Sequence, residues 1–121
     1  MRVFVALLHH PMLDRKGQEI TTAVTNMDLH DISRTCRTYG VERYFVVHPD
    51  PEQRKILDRI LGHWGTDAAR DYHPKRAEAL GAIEAVSTWE EAVERATRLN
   101  EGERPLVAMP DARTWPRSVS Y

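Results

Sequence analysis

The stretch that decides the fold is Thr22-Ala-Val-Thr-Asn-Met-Asp-Leu-His-Asp-Ile-Ser-Arg-Thr-Cys-Arg-Thr-Tyr-Gly-Val-Glu-Arg-Tyr-Phe-Val-Val47. Apolar side chains recur on one helical face at Leu29, Ile32, Cys36 and Tyr39. Because Gly40 is a natural C-terminal cap, we predict a helix that begins between residues 26 and 28 and ends at Gly40. The apolar run that follows, residues 44–47, is typical of a strand buried on both faces, as in a parallel sheet.

Two more apolar runs, residues 3–8 and 106–109, predict strands of the same kind. A fourth run, residues 82–86, gives a weaker strand signal because Glu84 interrupts it. Segments of helical period separate these runs, and tight hairpin signals are missing between them. We therefore expect an α/β fold with a mostly parallel sheet and flanking helices.

Capping signals predict three further helices. Asp50 precedes Pro51, which suits a first helical position, and Gln53 stands where a capping box would place it. The stripe expected to be buried on this helix is Ile56, Leu57, Ile60, Leu61 and Trp64. The polar stretch of residues 65–72 is assigned no element. Pro74 opens a short helix that runs through Leu80.

The last predicted helix begins with a Thr-x-x-Glu capping box formed by Thr88 and Glu91. Its inward side chains are expected to be Trp89, Ala92, Val93, Ala96 and Leu99. Long loops are expected at residues 9–20 and 110–121, both after the carboxyl ends of strands, where ligands of α/β domains often bind.

Composition limits the class of protein. The 121 residues suffice for one core but not two, so we expect a single domain over residues 1–121. No apolar run approaches the roughly 20 residues of a membrane span, so no membrane partner is expected. Cys36 is the only cysteine, which excludes an internal disulfide and favours a cytoplasmic setting. Since the formal net charge is −1, a nucleic acid would have to bind at a local patch.

Several kinds of site lack their usual motif. The sequence contains no Gly-x-Gly-x-x-Gly or Walker-type loop for phosphates and no Gly-x-Ser-x-Gly elbow for a hydrolase. Its six histidines include no His-x-x-x-His pair, and the adjacent His9 and His10 would point to opposite faces of an extended segment. We predict no metal site and interpret the two as a strand end with one solvated histidine.

Three cations share one face of the first helix. His30, Arg34 and Arg37 stand at positions i, i+4 and i+7, away from the apolar stripe. A guanidinium on a rigid helix can hold a phosphate bidentately, which positions nucleic acids. Spacing alone favours an alternative without a binding function, a solvated helix face on which Arg34 pairs with Asp31 or Asp28.

The pattern from Asp28 through Ile32, Arg34-Thr35 and Tyr39-Gly40-Val41 to the next strand resembles the first motif of the SPOUT methyltransferases. The longer string from residue 9 through residue 32 resembles a bacterial family described as S-adenosylmethionine-dependent RNA methyltransferases. Weaker matches follow at residues 105–108, at Ala112-Arg113, and at residues 118–121 as the start of another helix.

This resemblance implies a SPOUT-like α/β knot fold, a homodimer and methyl transfer from S-adenosylmethionine (SAM) to a nitrogen or ribose oxygen of RNA. The family's two later motifs have no counterpart before Tyr121. We therefore expect a chain that lacks the C-terminal knotted half, is inactive alone and does not bind SAM by itself. The position of Asp28 is asparagine in many relatives, and that of His30 is glycine.

The resemblance also assigns candidate residues. Arg34 takes the position implicated in catalysis or RNA placement. One wall of the cofactor site corresponds to Met109, Pro110, Asp111 and Ala112. The candidate RNA-binding residues are Arg15, Lys16, His30, Arg37 and Arg113, and Trp115 is a possible further contact.

Two alternatives remain from other functional classes. One is a non-catalytic RNA-binding module, for which affinity should fall steeply with salt. It would use Arg15, Lys16, Arg34, Arg37, Arg113 and Arg117. The other is a structural α/β fragment that oligomerises through uncovered apolar surface.

Overall fold

The chain forms five strands and five helices within the described residues. The computed structural model describes residues 1–119, in which the elements are β1 (Phe4–Leu8), β2 (Met12–Leu13), β3 (Glu19–Ile20), α1 (Asn26–Thr38), β4 (Arg43–Val47), α2 (Pro51–Trp64), α3 (Asp67–Tyr72), α4 (Pro74–Leu80), β5 (Ile83–Val86) and α5 (Trp89–Leu99). None of the helices in this part of the chain combines the length and apolar character needed to cross a bilayer.

The main sheet has the strand order β1-β4-β5, and both pairings are parallel. Phe45 in β4 pairs with Ala6 of β1 on one side and with Glu84 of β5 on the other. The predicted mostly parallel sheet with flanking helices is therefore confirmed. Burial on both faces holds for β4 but not for β1, whose Ala6 is exposed because the strand lies at an edge of the sheet.

Alternation along β4 divides the core into two layers. Tyr44 and Val46 point to one face of the sheet, and Phe45 and Val47 point to the other. The first layer contains Leu29, Cys36, Leu57 and Leu80, and the second contains Val86, Ala92 and Ala96. Helices α1, α2 and α4 thus cover one face, and α5 covers the opposite face.

Helix α1 begins as predicted but ends earlier. Thr25 Oγ1 accepts a hydrogen bond from the Asp28 N–H at 3.1 Å and caps the helix. The last helical residue is Thr38, after which Gly40 adopts a φ of 68°. The prediction that Tyr39 faces inward is wrong, because its backbone leaves the helix and its side chain is 79% exposed.

The cap of α2 is confirmed, since Asp50 Oδ1 accepts from the Glu52 N–H at 2.9 Å and Pro51 opens the helix. The capping box does not close. The Asp50 N–H donates to His48 Nδ1, and Gln53 instead accepts a hydrogen bond from the Val24 N–H at 3.1 Å.

Two of the predicted patterns in α2 and α5 need correction. In α2, Ile56 lies at the margin of the apolar stripe and is 46% exposed. In α5, Thr88 accepts from the Glu91 N–H as predicted, while the Glu91 carboxylate accepts from the Ser87 N–H rather than from Thr88. In both α2 and α5, therefore, the N-cap side chain accepts its hydrogen bond, but the return hydrogen bond to the N-cap N–H is missing.

The predicted strand at residues 106–109 is wrong. This segment forms no backbone hydrogen bonds with β1 within residues 1–119, and Leu106 and Met109 are 99% and 75% exposed. An apolar run becomes a strand only where another strand satisfies its backbone groups.

One helix and the two strands of one hairpin were not predicted. Helix α3 occupies the polar stretch, where Thr66 caps it by accepting from the Ala69 N–H. Strands β2 and β3 form a small antiparallel hairpin inside the expected loop of residues 9–20. For the helix expected at residues 118–121, Ser118 and Val119 are not helical, and Ser120 and Tyr121 lie outside the described residues.

Candidate functional site

Arg34 lies on the exposed side of α1, where it lines two adjoining depressions. The first, of about 470 Å³, is formed with it by Asp31, Thr35, Thr38 and Tyr39. The second, of about 270 Å³, lies between α1 and α4 and is lined by Arg34, Arg37, Thr38, His73, Lys75, Arg76 and Ala79. We call this second depression the α1–α4 groove.

The Arg34 guanidinium has no ion-pair partner in the part of the chain that the structure describes. Among residues 1–119, no carboxylate oxygen lies within 4 Å of its guanidinium, so the alternative pairing with Asp31 or Asp28 is wrong. Its neighbour Arg37 does form an ion pair, with Nη2 at 3.1 Å from Glu78 Oε2 on α4. The structure thus brings Arg34 and Arg37 together but leaves only Arg34 available to an anion.

His30 lies beside the groove but is held as a neutral imidazole. Burial, and then the positive charge of Arg76, lower the pKa of His30 below its ordinary value of 6.5. The His30 ring meets the Trp64 ring edge-on at 6.1 Å between centroids, and the guanidinium carbon of Arg76 lies 5.4 Å from the centroid of the same indole. His30 therefore contributes shape rather than charge at neutral pH.

Arg15 and Lys16 lie at the exposed tip of the β2–β3 hairpin. Asp14 Oδ1 accepts hydrogen bonds from the backbone N–H groups of Lys16, at 2.8 Å, and Gln18, at 2.9 Å, which fixes the turn. Neither cation lines the groove, so the structure does not bring them together with Arg34.

The candidate cofactor wall forms an exposed segment after α5. Asp111 accepts hydrogen bonds from the Arg113 guanidinium at 3.2 Å and from Trp115 Nε1 at 2.8 Å. The Arg113 side chain, then its backbone N–H, then Trp115 hold the pKa of Asp111 well below its usual range. Met109, Pro110, Asp111 and Ala112 line neither depression, and their role stays a prediction.

The two histidines at the end of β1 occupy different surroundings. His9 is buried with its Nδ1 3.2 Å from the Val47 carbonyl oxygen, whereas the His10 side chain is 37% exposed and contacts Thr21 Oγ1 at 2.8 Å. Burial lowers the pKa of His9. Within residues 1–119, no three His, Cys, Asp or Glu side chains come close enough together to hold a metal ion.

Sequence reasoning missed the contribution of α4. His73, Lys75 and Arg76 line the groove, and Trp64 from the end of α2 supports Arg76. The available signal was the Pro-Lys-Arg run at the predicted start of α4. The alanine and leucine side chains of α4 must pack against the rest of the domain, so the two cations that open the helix lie at the edge of that contact. An assembled cation groove of this kind can bind a phosphate.

Several known proteins are similar to this chain in sequence. A protein of Aquifex aeolicus (strain VF5) described as uncharacterized is 39% identical over 119 residues, which is 98% of this chain and 58% of that protein. Two proteins named tRNA (guanine-N(1)-)-methyltransferase match 92% of the chain over 111 residues. They come from Oleidesulfovibrio alaskensis, at 34% identity, and Nitratidesulfovibrio vulgaris, at 36%, and the chain spans 26% of each.

The sequence model of a family described as SAM-dependent RNA methyltransferase matches residues 2–121, which is almost the whole chain. The cation groove beside Arg34 is compatible with the RNA substrate in that description. The chain belongs to the SAM-dependent RNA methyltransferase family.

Proposed function

We propose that this chain is part of a SPOUT-type methyltransferase that modifies RNA and that Arg34 acts at its catalytic centre. The observation that carries the proposal is the placement of Arg34. It occupies the family's first-motif position, is exposed on a rigid helix, and has no carboxylate within 4 Å in the described residues. A guanidinium in this state is available to a phosphate or to charge that develops at the target nucleotide.

Arg34 would act mainly by positioning. Methyl transfer needs the nucleophile and the methyl group in line, so fixing one phosphate of the RNA supplies much of the rate advantage by proximity. SAM, when bound, supplies the methyl group from its sulfonium. Met109, Pro110 and Ala112 are exposed, Asp111 is partly buried, and the four form no enclosed site in residues 1–119, so they do not by themselves fit SAM.

We therefore propose that SAM does not bind residues 1–121 alone, because the candidate cofactor wall encloses no pocket in residues 1–119. Residues 1–121 would act as one domain of a cytoplasmic homodimer. Titration calorimetry tests the cofactor part of the proposal. No heat of SAM binding is expected, and tight binding to this chain would contradict it.

The names of two relatives make tRNA the first substrate to test. We expect the chain to bind an unmodified tRNA transcript, and we expect Arg34→Gln to weaken that binding about tenfold, the effect of losing one charge-assisted hydrogen bond. Fluorescence anisotropy measures both. The RNA part of the proposal fails if the wild-type chain shows no affinity for RNA at low salt.

A second candidate function is RNA binding without catalysis. Two observations favour it together: Arg34 has no carboxylate within 4 Å, and the candidate cofactor wall encloses no pocket in residues 1–119. This candidate predicts steeply salt-dependent affinity for RNA and no transfer of labelled methyl groups from SAM to tRNA. Methyl transfer by the chain would exclude it and would also contradict the proposal that SAM does not bind this chain alone.

A further inference from the structure

The α1–α4 groove concentrates more positive charge than the motif around Arg34 accounts for. Helix α1 supplies Arg34 and Arg37, and the segment that opens α4 supplies Lys75 and Arg76. Within the described part of the chain, the ion pair of Arg37 with Glu78 is the single neutralised charge in this group. Since the whole chain has a formal charge of −1, this excess is local.

Arg76 is held in place before any ligand arrives. Its guanidinium carbon lies 5.4 Å from the centroid of the Trp64 ring, and its Nε is buried with no hydrogen-bond partner in residues 1–119. A guanidinium over an indole face keeps its planar N–H edge for a ligand. Because the side chain is already ordered, binding costs less conformational entropy than it does at a free arginine.

Glu78, which pairs with Arg37, is the one carboxylate that forms an ion pair with the groove cations in the described residues. His30 is neutral at neutral pH, and its Nδ1 is buried with no hydrogen-bond partner in the described residues. Like charges held close together repel one another, and a bound anion relieves that repulsion. A phosphate suits two guanidinium groups and an ammonium because it presents oxygens in several directions.

We propose that the α1–α4 groove binds a backbone phosphate of the substrate RNA through Arg34 of α1 and through Lys75 and Arg76 of α4. This inference rests on the proposed function, since it takes the substrate to be RNA. It adds α4 as the second half of the binding surface and makes Lys75 and Arg76 binding residues. Trp64 is a positioning residue that acts through Arg76.

The test compares three variants of the full chain that lose the same charge. Lys75→Gln and Arg76→Gln remove groove cations, and Arg98→Gln removes a cation of α5 on the opposite face of the sheet. Affinity for a fluorescein-labelled, unmodified tRNA transcript is measured by anisotropy over a series of salt concentrations. Thermal unfolding of each variant reports whether Arg76→Gln remains folded, and Lys75→Gln provides an exposed position that avoids this concern.

We expect Lys75→Gln and Arg76→Gln each to weaken binding about tenfold, the effect of one charge-assisted contact. The slope of log affinity against log salt should become shallower by about one unit for Lys75→Gln, since one fewer phosphate is neutralised. Arg98→Gln should change neither quantity. Equal losses in all three variants, or no loss at Lys75 and Arg76, would overturn the groove while leaving the proposed function intact.

A wild-type chain that binds no tRNA overturns the proposed function and, with it, RNA as the occupant. Titration with inorganic phosphate then separates the two failures. Phosphate bound in the groove should raise the pKa of His30, measured by NMR, because it offsets the charges of Arg76 and Arg34. Polyglutamate and unlabelled RNA are also compared as competitors at equal concentrations of negative charge. If polyglutamate displaces the labelled tRNA as well as unlabelled RNA does, the groove is not specific for RNA.

Discussion

The unpaired cations of the α1–α4 groove differ from the cations of α5 on the opposite face of the sheet. On the α5 face, Arg95 Nε lies 2.7 Å from Glu84 Oε1, and Arg98 pairs with Glu94. On the other face, Arg34, Lys75 and Arg76 have no carboxylate within 4 Å in the described residues. Surface pairs add little stability, so the difference lies in the field that each face offers to a ligand rather than in what holds the chain folded.

The layers beneath the two faces differ as well. Leu29, Leu57 and Leu80 pack below α1, α2 and α4, whereas the buried side chains of α5 include the small Ala92 and Ala96. The larger apolar layer lies under the unpaired cations. We infer that burial of these leucines offsets the repulsion within the groove.

The largest effect is expected where this layer is broken. Leu80→Ala removes a side chain that is 1% exposed at the end of α4, and should cost about 2–5 kcal/mol in the free energy of unfolding. Leu99→Ala on α5, which is only partly buried, should cost less. Urea unfolding measures both variants. A greater loss at Leu99 would reverse the comparison between the two layers.

Charge reversal tests the fields of the two faces directly. Arg34→Glu should weaken tRNA binding about a hundredfold, or about 2.7 kcal/mol, because it replaces a phosphate contact with repulsion. Arg98→Glu makes the same change in charge on the α5 face and should alter affinity severalfold at most. Equal losses would mean that net charge, and not the groove, attracts the RNA.

The comparison also predicts a gain of affinity. Glu78→Gln should free Arg37 and strengthen tRNA binding about threefold, since a further cation then faces the groove. Glu94→Gln frees Arg98 in the same way on the opposite face and serves as the matched control. Anisotropy at constant salt distinguishes them, and a gain shared by both variants would contradict a localised site.

The smallest effect concerns pH. Burial and the nearby Arg76 and Arg34 lower the pKa of His30, while Asp31 partly opposes them, so the unfolded chain binds more protons just below the ordinary value of 6.5. The stability from neutral His30 should be complete above about pH 6.5 and should fall as the pH drops towards the folded-state pKa. Urea unfolding from about pH 8 to pH 5 should show a shallower loss for His30→Gln. An unchanged profile would argue against a lowered pKa of the partly buried His30.

Short-range signals made much of the fold predictable. The Asp50-Pro51 and Thr88-x-x-Glu91 caps act within three residues, so each helix start was visible in the sequence. The strand predicted at residues 106–109 was wrong because a strand needs a hydrogen-bonding neighbour, and an apolar run alone does not specify one. Helix α3 escaped prediction because it is six residues long and buries only Ala69, too little to produce a helical period.

The residues of the candidate site also differ in whether they could be predicted from local sequence. Arg34 was predictable because the motif around it is contiguous and the helix fixes its face. Lys75 and Arg76 were not, since they meet Arg34 only after α1 and α4 pack against each other. The support of Arg76 by Trp64 likewise joins the ends of two different helices. Such contacts depend on tertiary structure and leave no periodic trace in the sequence.

The contact between Trp64 and Arg76 also gives the molecule an optical reporter. Indole emission responds to charge brought close to the ring, and Trp64 lies 5.4 Å from the guanidinium carbon of Arg76. The other two tryptophans, Trp89 on α5 and Trp115 in the segment after it, lie elsewhere in the chain and can be replaced by phenylalanine. In such a chain, the emission wavelength and intensity of Trp64 fluorescence would report occupancy of the groove in real time without an attached dye.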